Sequence, residues 1–270
     1  MRTSFGLSIR QACRSLNLSR TVYRYQPDTA RDDPVIIALQ ELAERYTYYG
    51  FSKVFQLLRR QGHIWNHKRV HRIYCQLQLN IRRKGKRLLP VRCPSPLTVP
   101  EHLNQSWSID FMHDALTCGR RFRTFNVVDD FNREALSIEI DLNLPAQRVI
   151  RGLERIVASR GYPVMLLIDN GPEFISLTLA DWAEKYSVKL EFIKLGKPTQ
   201  NAFIERFNRT YRTEVLDFYL FRTLNEVREI TDKWLREYNC ERPHQSLNNL
   251  APEEYRLMNN QSEISKSAWN

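Results

Sequence analysis

Between residues 8 and 77 apolar positions recur at helical spacing, and beyond residue 105 they alternate, so the chain passes from a helical to a strand texture. The stretch 8–25 reads as two short helices around a turn at Asn17, with Ser19 as N-cap of the second, a helix-turn-helix-like pair. A third helix begins after Pro34 with Ile36, Leu39, Leu42 and Ala43 on one side. A fourth, capped by Ser52, stops at Gly62. A fifth starts at an Asn66 cap and carries Val70, Ile73, Tyr74 and Leu77 at helical spacing, which makes a second helix-turn-helix candidate. Its Lys68, Arg69 and Arg72 are left to face outward toward phosphates. Pro90, Pro94, Pro96 and Pro100 then deny both helix and central strand, so an extended linker follows.

Past the linker, Trp107, Ile109 and Phe111 alternate with Ser108, Asp110 and Met112, and strands over 122–128 and 135–142 follow after short turns. Three strands so closely connected make an antiparallel meander. A helix over 146–159, a strand over 164–168, a helix through Trp182, a strand over 189–193 and helices over 200–219 and 224–238 complete the order. That order predicts an α/β fold, a mixed sheet flanked by helices and preceded by an all-helical region. The expected domains are a helical, basic DNA-binding region over 1–88, a Pro-rich linker over 89–104, a core with its C-terminal helices over 105–258, and a polar tail without order over 259–270.

Charge sharpens the first of these. Residues 1–100 hold 19 Lys and Arg against five acids, a net +14, while the remainder is −3. No acid occurs between Glu44 and Glu101, and a one-signed stretch with helical periodicity and aromatics suits a polyanionic partner better than a solvated tail does. No apolar run approaches the roughly 18 residues of a membrane span, and no signal sequence opens the chain, so a cytoplasmic protein without a membrane partner is expected. The five cysteines are scattered without a Cys-x-x-Cys pair, which points away from disulfides and zinc. His63, His67, His71 and Cys75 are spaced by four but lack paired cysteines, so no zinc is expected there either.

Three acids stand where packing explains them poorly: Asp110 mid-strand, Asp169 where an apolar run meets Asn170-Gly171, and Glu205 on a polar helix side. Taken singly, each has an ordinary reading as a turn former, an ion-pair partner or a solvated residue. Asp110 lies on the strand face opposite Trp107 and Ile109, and Asp169 ends a strand of the same sheet, where open sheets place their sites. On the helix, Asn201, Glu205, Asn208 and Arg212 share one polar stripe while Ile204, Phe207, Tyr211 and Val215 form the apolar one, so the helix can pack and still present Glu205. Three convergent carboxylates suit one or two hard divalent cations, Mg²⁺ above all, of the kind that assist phosphodiester chemistry.

Four segments carry a family resemblance: Trp107-Ser-Ile-Asp-Phe111, Asp169-Asn-Gly-Pro-Glu-Phe174, the run from Gly196 to Val215 with Asn201-Ala-Phe-Ile-Glu-Arg206 at its centre, and Tyr238-Asn-Cys-Glu-Arg-Pro-His244. They closely resemble the OrfB transposases of IS-three-type bacterial insertion sequences, DDE transposases of the retroviral-integrase superfamily. The 35 residues between Asp169 and Glu205 match that family's spacing. The resemblance implies an RNase H-like catalytic core in which Asp110, Asp169 and Glu205 are the catalytic Mg²⁺ ligands, with Mn²⁺ able to substitute. It implies a transposase that cleaves DNA and transfers the freed 3′-hydroxyl at element ends. Asn170, Gly171, Lys197, Asn201, Arg206, Asn208 and Arg209 would line the DNA channel, with Lys68, Arg69 and Arg72 as further DNA contacts. The implied partners are double-stranded DNA of the element ends and target, further copies of the chain on that DNA, and an OrfA product or OrfA fusion; the implied location is the bacterial nucleoid. A metal-dependent nuclease without strand transfer, or an inactive domesticated DNA-binding protein, are the alternatives.

Other polar residues are weighed against this set. Asp129 and Asp130 read as strand-end turn formers and are left out of the site, as is Glu173. Arg242-Pro-His244 fits an ordered loop folded back on the core as well as it fits DNA contact.

Overall fold

The computed structural model describes residues 6, 8–26, 30–81, 99–169, 177–193 and 201–267. The chain divides into two compact units, 1–81 and 82–270. The expected basic run at 82–87 and the prolines at 90, 94 and 96 lie outside the described residues.

In the first unit, α1 (Ile9–Ser15) starts at a capping box in which Ser8 and Gln11 satisfy each other's backbone N–H. Asn17, at φ 52°, turns the chain into α2 (Arg20–Arg24), and the Ser19 hydroxyl accepts from the Val22 N–H. The helices α3 (Asp33–Arg45), α4 (Phe51–Arg60) and α5 (His67–Gln76) share a core of Val35, Leu39, Val54, Leu58, Val70 and Ile73. Asn66 caps α5 through the Lys68 N–H, as its position predicts. Ser52 does not cap α4: Gly50 precedes the helix in extended conformation, with no side-chain cap. On α3 the buried positions are Val35, Ala38, Leu39 and Leu42, so the inner stripe is rotated and Ile36 and Ala43 lie at its edge.

Two of the three cations expected to face outward on α5 also pair within the unit, Arg72 while exposed and Arg69 while half-buried. Arg69 Nε and Arg72 Nη2 donate to the two oxygens of Asp32 at 2.8 and 2.7 Å, and these bonds keep the Asp32 carboxyl below its ordinary pKa. Lys68 is exposed. His67 and His71 set their rings edge-on to Phe51, which gives the spaced histidines a packing role.

The second unit is built on five strands. β1 (Ser106–Ala115), β2 (Arg121–Asp129) and β3 (Ala135–Asp141) form the antiparallel meander; β4 (Met165–Ile168) and β5 (Lys189–Phe192) add in parallel, giving the order β3-β2-β1-β4-β5. This is the RNase H-like mixed sheet that the sequence implies. Its central strand is covered on both faces. Trp107 and Ile109 join Val149, Leu153 and Ile156 of α6 (Ala146–Arg160) and Trp182 of α7 (Leu177–Lys185) on one side. Met112, Phe122 and Val128 join Ile204, Phe207 and Tyr211 of α8 (Ala202–Tyr211) and Trp234 and Tyr238 of α9 (Leu224–Cys240) on the other. After α8, one π turn (Arg212–Leu216) re-aims the chain, and Val215 and Leu216 are buried in it. Among the described residues no helix is long and apolar enough to cross a membrane.

The C-terminal segment is a packing element. Arg242 is buried and bonds Glu214 at 2.6 Å with its guanidinium over the Tyr238 ring, and the His244 ring meets Tyr238 edge-on. A last helix, α10 (Pro252–Ser267), runs through the tail that was expected to lack order; no Gly or Pro follows Pro252 to interrupt it. Removing one member of a buried, paired charge leaves the other without compensation. Arg242→Ala should therefore lower the free energy of unfolding by about 3–5 kcal/mol, measured by denaturant titration. Replacing Arg242 and Glu214 together by apolar residues of similar volume should cost clearly less.

Candidate active site

Asp110 sits on the β1 face that looks toward α8. Its neighbour across the antiparallel pair is Asn126 of β2. On the other flank the parallel register pairs Ser106 with Met165 and Ser108 with Leu167, and two residues further this sets Asp110 level with Asp169, immediately after β4. The polar side of α8 closes over the strand: Asn208 Nδ2 donates to Asp110 Oδ2 at 2.6 Å, and Asn208 Oδ1 accepts from Asn126 Nδ2 at 2.7 Å. The Phe111 N–H donates to the other Asp110 oxygen at 2.8 Å. Both asparagines are buried. A side-chain amide has one acceptor and two donors, so Asn208 can hold the carboxylate while Asn126 fixes which way its own amide points. Glu205 lies nearly one turn before Asn208 and is exposed.

Burial, first, pushes the Asp110 carboxyl up to about 6; the Phe111 N–H opposes the shift, the Asp169 charge adds to it, Asn208 opposes it and the Glu205 charge adds to it. The three acids thus lie in one electrostatic neighbourhood. Among the described residues no three Asp, Glu, His or Cys side chains are grouped so as to hold a metal ion. The two findings are compatible: the carboxylates feel each other's charge without closing into a ligand cage. A partly buried carboxyl destabilised by two further carboxylates is a position with surplus negative charge and oxygen donors only, and that donor set fits a hard divalent cation.

The remaining expected residues fall in different places. Arg206 and Arg209 are exposed along α8. Asn201 is buried, and its Oδ1 has no hydrogen-bond partner among the described residues. Asn208, expected to line a channel, is the inward brace of Asp110. Arg212 bonds Asp114 at 3.1 Å and the His113 carbonyl at 2.7 Å, which fixes α8 to β1. Asn170, Gly171, Glu173 and Lys197 lie outside the described residues.

Asp129 and Asp130 are fully buried and occupied elsewhere. Asp129 accepts the N–H groups of Asn104 and Phe131, and Asp130 accepts the hydroxyls of Ser106 and Ser108, both at 2.7 Å. Arg133, at φ 60°, lays its guanidinium over the Phe203 ring near the start of α8, two residues before Glu205. Sequence reasoning missed Asn126 and Arg133. The available signal for Asn126 was a polar residue inside the apolar run Phe125-Asn126-Val127-Val128.

Two integrase core domain models match residues 100–198 and 178–252, and an HTH-like domain model matches residues 30–87. The Insertion element IS407 uncharacterized 31.7 kDa protein of Burkholderia multivorans is 41% identical over 256 residues, 94% of this chain and 92% of that protein. Transposase InsD for insertion element IS2D of Escherichia coli K12 is 23% identical over 237 residues, 83% of this chain and 78% of that protein. Among solved structures, the HTLV-2 integrase catalytic core domain in complex with magnesium matches 56% of this chain and 95% of its own at 18% identity, with a TM-score of 0.45. On the insertion-element relative and the integrase core models, the chain belongs to the DDE transposases of bacterial insertion sequences, the OrfB family that its motifs resemble.

Proposed function

We propose that this transposase cuts one DNA strand at the ends of its element and joins the freed 3′-hydroxyl to a second duplex, with Asp110, Asp169 and Glu205 holding the divalent cation that the chemistry uses. The observation that carries the reading is the seating of Asp110: braced by Asn208, it feels the charges of Asp169 and Glu205. When bound, Mg²⁺ or Mn²⁺ supplies charge neutralisation at the phosphate and a more acidic nucleophile. The protein's own part is geometric. Asn208 and the Phe111 N–H fix both Asp110 oxygens, the end of β4 sets Asp169 beside it, and α8 brings in Glu205, while Arg206 and Arg209, exposed on the same helix, are the proposed contacts to phosphate oxygens. Each step forms one P–O bond and breaks one, so no covalent enzyme intermediate and no external energy source is required.

The helical first unit, with its exposed Lys68 and the basic excess of residues 1–100, supplies duplex affinity that depends on salt. Further copies of the chain on the DNA, and an OrfA product or fusion, belong to the same reading as partners in bringing two ends together in the nucleoid.

In a strand-cleavage and joining assay with labelled element ends, Asp110→Asn, Asp169→Asn and Glu205→Gln should each abolish both products while duplex binding persists. A variant that cleaved near normally would remove its residue from the site. Cleavage without joining by the parent chain would support a nuclease instead. Asn208→Ala should lower cleavage about 10- to 100-fold, as loss of a group orienting a metal ligand does, and should raise the Mg²⁺ concentration needed for half-maximal rate. An unchanged Mg²⁺ requirement would assign Asn208 to packing alone.

A further inference from the structure

Three arginines of α6, Arg148, Arg151 and Arg155, line a cavity of about 310 Å³. They recur at i, i+3 and i+7, so they share one side of the helix, while Val149, Leu153 and Ile156 bury the other against the sheet. That sheet face is the one opposite Asp110. The cavity is therefore separate from the site described above.

The edge strand supplies the carboxylates that pair with two of these arginines. Glu139 and Asp141 alternate along β3 and point the same way. Asp141 pairs with Arg148 and lies 3.7 Å from Arg228 of α9, and Glu139 bonds Arg155 at 2.7 Å. Glu139 reaches the helix because Gly152 has no side chain: a Cβ there would come within 3.1 Å of the Glu139 Cγ. Arg151, between the two anchored arginines, is exposed and has no carboxylate partner among the described residues. Glu154, the acid of the same helix, is turned to the Trp182 indole at 2.6 Å. Three guanidinium groups thus share two carboxylates and Arg151 adds a fourth cation, in a unit whose sequence beyond residue 100 is net acidic.

A guanidinium has five N–H donors, so an arginine fixed through one nitrogen keeps others for a second oxyanion. Planar forks of this kind match phosphate oxygens, and the anchoring carboxylates fix the flanking pair in advance of binding. Arg148 to Arg155 spans about 10.5 Å of helix, the axial run of about three phosphates on one strand. We infer that Arg148, Arg151 and Arg155 form a track for the phosphodiester backbone of a DNA duplex, on the side of the sheet away from the three acids. The inference rests on the proposed action on DNA and adds a second place where the catalytic unit holds it.

The test is duplex binding by the full chain across a salt series, read by fluorescence anisotropy, with thermal midpoints checked for each variant. Arg151→Ala should weaken binding and lower the slope of log affinity against log salt by about 1, and Arg151→Glu should weaken it further. Arg151→Lys should keep most of the slope. If the parent chain binds and cleaves DNA but Arg151→Ala and Arg151→Glu leave slope and affinity unchanged, the track is refuted while the proposed function stands. If the parent chain neither binds nor cuts DNA, both fall. Binding of inorganic phosphate that Arg151→Ala removes, with the duplex slope intact, would make the cavity a small-anion site and would also refute the track.

Discussion

A carboxylate in the middle of a central strand is the constraint on which the second unit turns. β1 is covered on both faces, so Asp110 cannot point freely into water, and burial, joined by the charges of Asp169 and Glu205, pushes its pKa up to about 6. A group so placed must be hydrogen-bonded to be tolerated. The fold meets that demand with one backbone N–H and one buried amide, and the amide comes from the helix that also carries Glu205. Satisfying the half-buried acid and aligning Glu205 are therefore one structural act. The Asn126–Asn208 bond ties the same helix to the neighbouring strand, so α8 is registered against two strands at once. Arg133 on Phe203 and Arg212 on Asp114 do the same at its two ends.

The rest of the unit serves this alignment. Parallel addition of β4 beside β1 puts a strand end, and Asp169 with it, next to Asp110. The apolar side of α8, with Phe207 and Tyr211 packed at tilted angles against Trp234 of α9, pulls the helix down onto the sheet. The buried Arg242–Glu214 pair then fixes the chain after α9 to the turn that follows α8. What the C-terminal motif contributes is thus support for the helix that bears Glu205.

Much of this was legible in the sequence, because elements follow from periodicity. The alternation of Trp107, Ile109 and Phe111 and the stripe of Ile204, Phe207, Tyr211 and Val215 were each enough to place a strand and a helix. The acids were legible through residue type and spacing. What the sequence could not show were polar contacts between residues far apart in the chain: Asn126 and Asn208 are 82 positions apart, and Asp32 reaches Arg69 and Arg72 across 37 and 40. Such bonds leave no periodic mark. The Ser52 cap failed because Gly50 in extended conformation already starts the helix two positions earlier.

Asp110, Asp169 and Glu205 are proposed to share one cation. The most direct test is Mn²⁺ binding, followed by electron paramagnetic resonance, to the full chain on an element-end duplex. The parent should bind Mn²⁺ and Mg²⁺ should displace it, while Asp110→Asn, Asp169→Asn and Glu205→Gln should each lose that binding with the duplex still held. Parent-like Mn²⁺ binding by any of the three variants would contradict the claim.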